Sequence, residues 1–238
     1  MNTLLRICLT LALLPSLAFA AGSATFATDD GKLEIQWLNS NTVRMGAPGD
    51  KEYSLLKDGK VYSVYHENGR PQVMDLTSMM TMMGDMAKQM ADGTVDLGTV
   101  LATKATGKKE TVAGVTGEVF LITIKSEDGS TETAETVLTD NALAVEMTQA
   151  FMATTTALVG KDNSQRFLNQ LPKGKTGLLR SDNDFTLVKL SGTTPASALF
   201  ELPAQPQDMS QMLQGLGQQI QGLGEMMQQQ MQNQSRSR

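Results

Sequence analysis

His66 is the only histidine of the 238-residue chain, and it stands beside Glu67. A lone imidazole can serve as a general base or as one metal ligand. No Ser-His-acid grouping and no second imidazole accompany it, so the pair reads as a solvent-facing strand end. Asp29, Asp30, Asp182 and Asp184 bring carboxylates to two turn-like segments. Their spacing lacks the ligand series and terminal glutamate of an EF-hand. Thioethers offer a third chemistry, because Met74, Met79, Met80, Met82, Met83, Met86 and Met90 crowd one stretch. Soft sulfur could hold Cu(I). The same unbranched, polarisable side chains could instead give an adaptable apolar face to a ligand or partner, or fill a core. The reading assigns no catalytic residue, no metal and no cofactor. It takes Met79, Met83, Met86 and Met90 as candidate contacts for an apolar ligand.

Composition narrows the classes further. Residues 1–20 read as an export signal, with a basic start ending at Arg6, an apolar run over 7–17 and the small-x-small ending Ala18-Phe19-Ala20. That run is too short for a stable membrane span, so the expected location is the periplasm. The single cysteine, Cys8, falls in this segment. Residues 21–238 therefore carry no thiol for a disulfide, a nucleophile or a metal. A net charge of −5 and a pI near 5.0 remove any long-range attraction for nucleic acid. Neither Gly-x-Gly-x-x-Gly nor a P-loop occurs, which argues against a nucleotide cofactor.

The elements that must position these residues alternate in type. Between residues 24 and 76 short strands are separated by turn signals. Leu33, Ile35 and Trp37 share one face of the clearest strand, and Asp58-Gly59 is the best hairpin signal. Connections this short require antiparallel pairing. Helical spacing then takes over from Leu76 to Met90, with Asp75 or Thr77 as its cap and Gly93 beyond its end. Residues 92–107 read as an irregular link. Strands return at 111–112, 117–125 and 131–138, a second helix occupies 141–159, and a short third helix is expected over 163–169. Strands at 176–180, 185–190 and 198–202 complete the series. Within 117–125, Val119, Phe120, Leu121 and Ile122 form an apolar run that requires burial on both faces. Trp37, Phe120 and Ile122 join the methionines as ligand-contact candidates.

From Gln205 onward the composition changes, with 12 glutamines in 34 residues. Met209, Leu213, Leu216, Ile220, Leu223 and Met227 recur at alternating spacings of four and three, an a/d stripe suited to a partner helix. Four glycines at 215, 217, 222 and 224 weaken that helix by roughly 3–4 kcal/mol relative to alanine. A flexible tail, packing on the domain or on another copy, and membrane-surface binding all remain open for it.

Four landmarks then carry a family resemblance. They are the run from Tyr53 to Tyr65 turning at Asp58-Gly59, the segment Val112-Ala113-Gly114-Val115-Thr116-Gly117-Glu118-Val119-Phe120, the turn Leu171-Pro172-Lys173-Gly174, and Leu199-Phe200-Glu201-Leu202-Pro203. In this order the chain resembles an exported bacterial group related to the LolA/LolB-like lipoprotein carriers. The resemblance implies an α+β domain over 21–204, mainly antiparallel, built as a strongly curved unclosed β-barrel with covering helices. It also implies a non-enzymatic periplasmic carrier for a lipid, an acyl chain or a lipoprotein segment. The rival is an envelope chaperone or interaction module that uses the Met-rich helix and the tail over 205–238. Partners consistent with these readings are a hydrophobic ligand or lipoprotein, an envelope protein, peripheral membrane contact and self-association through the tail, with nucleic acid excluded.

Overall fold

The computed structural model describes residues 20–47, 49–81, 99–126, 129–159, 167–182 and 184–207. Residues 1–19, the stretch holding Met83, Met86 and Met90, and the tail stripe from Met209 to Met227 lie outside the described residues.

Turn chemistry sets the first half of the fold. Strands β1 (Gly22–Thr28), β2 (Gly31–Asn39), β3 (Thr42–Met45), β4 (Tyr53–Lys57), β5 (Lys60–Glu67) and β6 (Arg70–Asp75) pair in sequence order as an antiparallel meander. Asp58-Gly59 and Asn68-Gly69 both take positive φ at their two central positions. That is the two-residue turn whose twist matches the flanking strands. Pro71 lacks an N–H and is accommodated because β6 is an edge strand.

A second meander comprises β7 (Thr99–Val112), β8 (Val115–Lys125), β9 (Thr131–Thr139), β10 (Gly177–Ser181) and β11 (Phe185–Ser191). Helix α1 (Ala142–Val159) is inserted between β9 and β10. The two meanders join where β1 pairs antiparallel with β11, giving one sheet in the order β6-β5-β4-β3-β2-β1-β11-β10-β9-β8-β7.

This sheet corrects the expected barrel. It is a large open antiparallel sheet that ends at β6 on one side and β7 on the other, and it is not strongly curled. The reason is visible in what covers it. On one face α1 packs over β10, β11, β1, β2, β3 and β5. Phe26, Ile35, Trp37, Val43, Val119, Val137, Met147 and Leu179 are buried there in one cluster. On the other face of β8, Phe120 and Ile122 pack with Val100, Leu138 and Leu171, against the helical residues 167–170. A sheet that buries apolar side chains on both faces is a layer within a sandwich, not the wall of a lumen.

The segment after β11 covers part of the first meander. Its 3-10 turn, Ser197–Phe200, packs on β3 and buries Phe200. Lys57 Nζ donates to the Phe200 carbonyl at 3.3 Å and pairs with Glu201 at 2.8 Å. At the margin, Gln207 N–H donates to the Val73 carbonyl at 2.8 Å, and its side-chain amide donates to Gln72 Oε1 at 2.7 Å.

Several local expectations change. Residues 99–107 belong to β7, not to a link. Residues 197–200 form a 3-10 turn where a strand was expected. Leu121 is 36% exposed, so the burial on both faces of β8 rests on Val119, Phe120 and Ile122. Residues 76–81 are helical as the spacing predicts, and Asp75 caps them. Ser78 N–H donates to Asp75 Oδ1 at 2.8 Å, and Ser78 Oγ and Lys60 Nζ reach Oδ2 at 2.6 Å each.

Candidate functional site

An apolar recess of about 130 Å³ opens where the two meanders meet beneath α1. Alternation along the strands supplies its floor. Phe26 and Thr28 come from β1, and Leu33 and Ile35 come from the paired β2, in which Phe26 is registered opposite Leu33. Phe185 at the start of β11 meets Phe26 edge to face, with ring centroids 5.5 Å apart. Asp184, in the turn before β11, stands at the exposed rim and accepts a 2.8 Å hydrogen bond from Ser181 Oγ. Asp29 and Asp30 form the adjoining turn after Thr28, and both are exposed. The mouth is therefore acidic, and the wall is almost wholly hydrocarbon.

Helix α1 supplies the roof through Met147, Thr148 and Phe151. Asn141 sets its start by accepting the Ala144 N–H at 3.2 Å. Thr148 is buried, donates to the Ala144 carbonyl at 3.0 Å, and accepts the Leu178 N–H at 2.9 Å. The bond stands beside a slip in the register of β10 against β9, between Leu178 and Arg180. One hydroxyl thus joins helix to sheet at the edge of the recess, where Leu178 lines the wall. Gly177 permits the close approach, since a Cβ there would lie 2.8 Å from the Thr139 methyl and 3.1 Å from Ala144.

Beyond the bulge, Arg180 binds Glu110 through Nε at 3.0 Å and Nη2 at 2.9 Å, binds Glu135 at 2.8 Å, and pairs with Asp182. Burial pushes the guanidinium pKa down, but hydrogen bonds and charge from Glu110 and Glu135 outweigh it and leave the pKa raised. This network ties β7, β9 and β10 together and consumes Asp182, so the acidity at the recess mouth comes from Asp29, Asp30 and Asp184.

The ligand-contact candidates from the sequence do not converge. Trp37 is fully buried in the same cluster as the recess floor, but it lies past Ile35 and does not line the recess. Phe120 and Ile122 sit in the separate cluster on the other face. Met79 is half-buried in the helical residues 76–81, away from the recess lining. Met83, Met86 and Met90 lie outside the described residues, as do Met209, Leu213, Leu216, Ile220, Leu223 and Met227. His66 is exposed, and its Nδ1 lies 3.0 Å from the Lys51 carbonyl. Among the described residues no group of three or more His, Cys, Asp or Glu side chains is placed to hold a metal ion. Sequence reading missed Phe26, Phe185, Met147, Phe151 and Leu178. The available signal was two phenylalanines at strand ends beside Asp-rich turns, together with a helix almost free of charge.

The chain matches no family model, no curated protein and no solved structure.

Proposed function

We propose that this is an exported, non-enzymatic binding protein that seats a short apolar group in the recess under α1. The observation that carries the reading is the recess itself, with its hydrocarbon wall and carboxylate rim. Its size decides what fits. An engineered protein cavity of about 150 Å³ takes a benzene-sized guest, whereas pockets for whole drug-sized ligands run to roughly 300–1,000 Å³. A recess of about 130 Å³ accepts the tip of an alkyl chain or one small ring and leaves the rest of an amphiphile outside. Asp184, with Asp29 and Asp30 beside it, disfavours an anionic head at that mouth and favours a neutral or cationic one. The leader-like residues 1–20 support delivery to the periplasm.

A chain-length series of n-alkylamines and n-alkyl alcohols tests this reading, with binding followed by NMR at the methyl groups of Met147, Leu33 and Ile35. Each buried methylene contributes about 0.8 kcal/mol, so affinity should rise roughly fourfold per carbon and then level off near the length that fills the recess. Leu33→Phe, which fills the space from the floor, should abolish binding while the amide spectrum stays folded. Affinity that keeps climbing through long chains would instead indicate a larger acyl-chain carrier. No saturable shift at those methyls would defeat the proposal.

A further inference from the structure

Glu146 is the only charged residue of α1. It faces the start of the described chain, where the Ala20 N–H donates to Glu146 Oε2 at 2.9 Å. The carbonyl of the same residue accepts from Trp37 Nε1 at 2.7 Å. Two residues later Gly22 is already inside the sheet, so close to the indole that a Cβ would lie 2.6 Å from the Trp37 ring. The peptide bond between Ala20 and Ala21 is therefore held in place by the folded domain, and it is the bond that Ala18-Phe19-Ala20 marks for cleavage. Glu146 is half-buried, and the amide N–H that it accepts is a weaker partner for a carboxylate than a cation.

We propose that Glu146 is the seat of the α-ammonium group created at Ala21 when the leader is removed. The proposal rests on the export reading of residues 1–20 and is independent of the recess. A signal peptidase adds one water across the Ala20–Ala21 amide. The hydroxyl goes to the Ala20 carbonyl carbon and a hydrogen goes to the Ala21 nitrogen. The new carboxylic acid then passes its proton to the new amine, so a carboxylate departs with residues 1–20 and an ammonium remains. Neighbouring residues are about 3.8 Å apart along the chain, a distance the Glu146 side chain can cover by rotating its torsions. The residues registered against Gly22 and Ser23 are Trp37, Gln36 and Ser191, all uncharged. Asp140, ahead of α1, is paired with Lys175. Glu146 is thus the charge the ammonium meets. The indole loses its acceptor in the same event, and because Ala20 is exposed, water replaces the lost carbonyl.

The test uses protein recovered from the periplasm, with its N-terminus fixed by intact mass. The α-amino pKa is then read by NMR titration in wild type, Glu146→Gln and Glu146→Asp. A chain-terminal amine ordinarily titrates near 7.7–8.0. The wild-type amine should titrate clearly higher, Glu146→Gln should return it to the ordinary range, and Glu146→Asp should keep part of the rise. The stability from this pair is fully present below the amine's unfolded pKa and is lost as pH rises through the folded one. The unfolding difference between wild type and Glu146→Gln should accordingly vanish once the pH has passed the raised folded value. A chain that keeps residues 1–20, or begins elsewhere, overturns the export reading and the seat with it. A chain that begins at Ala21 and titrates identically in all three proteins overturns the seat alone.

Discussion

The strands β1–β6 and β7–β11 are both antiparallel meanders, yet different devices hold them in register. In the first, the turns do most of it. Asp58-Gly59 and Asn68-Gly69 supply the positive-φ pairs, β3, β4, β5 and β6 pair without interruption, and the one slip falls at Trp37/Asn39 between β2 and β3. In the second, the register slips at Val100/Ala102, at Ala105/Lys109 and at Leu178/Arg180. Side chains bridge the strands there, with Thr148 accepting the Leu178 N–H and Arg180 gathering Glu110 and Glu135. A meander set by turns is specified locally; one set by side chains from distant elements exists only once those elements have docked. The recess lies on the seam between the two, lined by β1 and β2 from one side and by α1 and β10 from the other.

Substitutions can separate the two kinds of order, and the largest effects should come from the cores. Trp37→Ala in the first meander and Phe120→Ala in the second should each cost roughly 3–5 kcal/mol in denaturant unfolding. Leu121→Ala, at the exposed position next along the face that Val119 buries, should cost below about 0.5 kcal/mol. A large loss at Leu121 would mean that the cover over Val119 extends to it.

Thr148→Val keeps the shape and removes the hydroxyl, leaving the Leu178 N–H without its partner. The expected cost is about 1–3 kcal/mol, with hydrogen exchange accelerating at Leu178 and not in β4 or β5. A uniform effect across both meanders would argue against separate register devices.

Asp75 gives the first meander an acid-sensitive point. Burial raises its carboxyl pKa, but hydrogen bonds from Lys60 and Ser78 and the charge of Lys60 outweigh this and hold the pKa below the ordinary value. Its stabilisation is therefore present above the unfolded carboxyl range and is lost as pH falls through the lower folded value. Asp75→Asn should reduce stability at pH 7, and the gap from wild type should close in strongly acidic solution. A gap that stays constant with pH would remove the charge from the explanation.

The smallest effect should be a gain. Ala113 sits at φ 48° in the turn joining β7 and β8, before Gly114 at φ 81°. It occupies the position that aspartate and asparagine fill in the other two hairpins. Ala113→Asn should raise stability by up to about 1 kcal/mol by removing a left-handed alanine. No gain would mean that this strain is relieved elsewhere.

The first meander was legible because its information is local. Leu33, Ile35 and Trp37 alternate, and Asp-Gly and Asn-Gly mark turns. The limits of α1 were readable for the same reason, and the cap was narrowed to Asp75 or Thr77, of which the structure uses Asp75. β7 was legible only at its end, residues 111–112, because an edge strand need not alternate. Lys104, Lys108 and Lys109 are exposed along it, the kind of charge that keeps a free edge from pairing with another chain. The pairing of β1 with β11 left no sequence mark, since it joins residues at opposite ends of the domain. The recess followed from that pairing and from the path of α1, so its lining was hidden as well. A curved sheet was expected from the count of strands and helices and an unclosed barrel from the resemblance, and the burial of Phe120 and Ile122 opposite Val119 removes the need for either.

The central place of β1 has a consequence for the order in which the protein is made. The first strand to leave the ribosome is among the last to be enclosed, because β11 and α1, which cover one edge and one face of it, are synthesised much later. Until then the apolar face of Phe26 and Ile35 and a bare strand edge are open together, a combination that invites chain-to-chain association. Closing a contact between such distant residues also carries a large loop entropy, so this step should govern the folding rate. A chain truncated before β11 would then be soluble only under the care of a chaperone, and the recess would belong to the finished molecule alone.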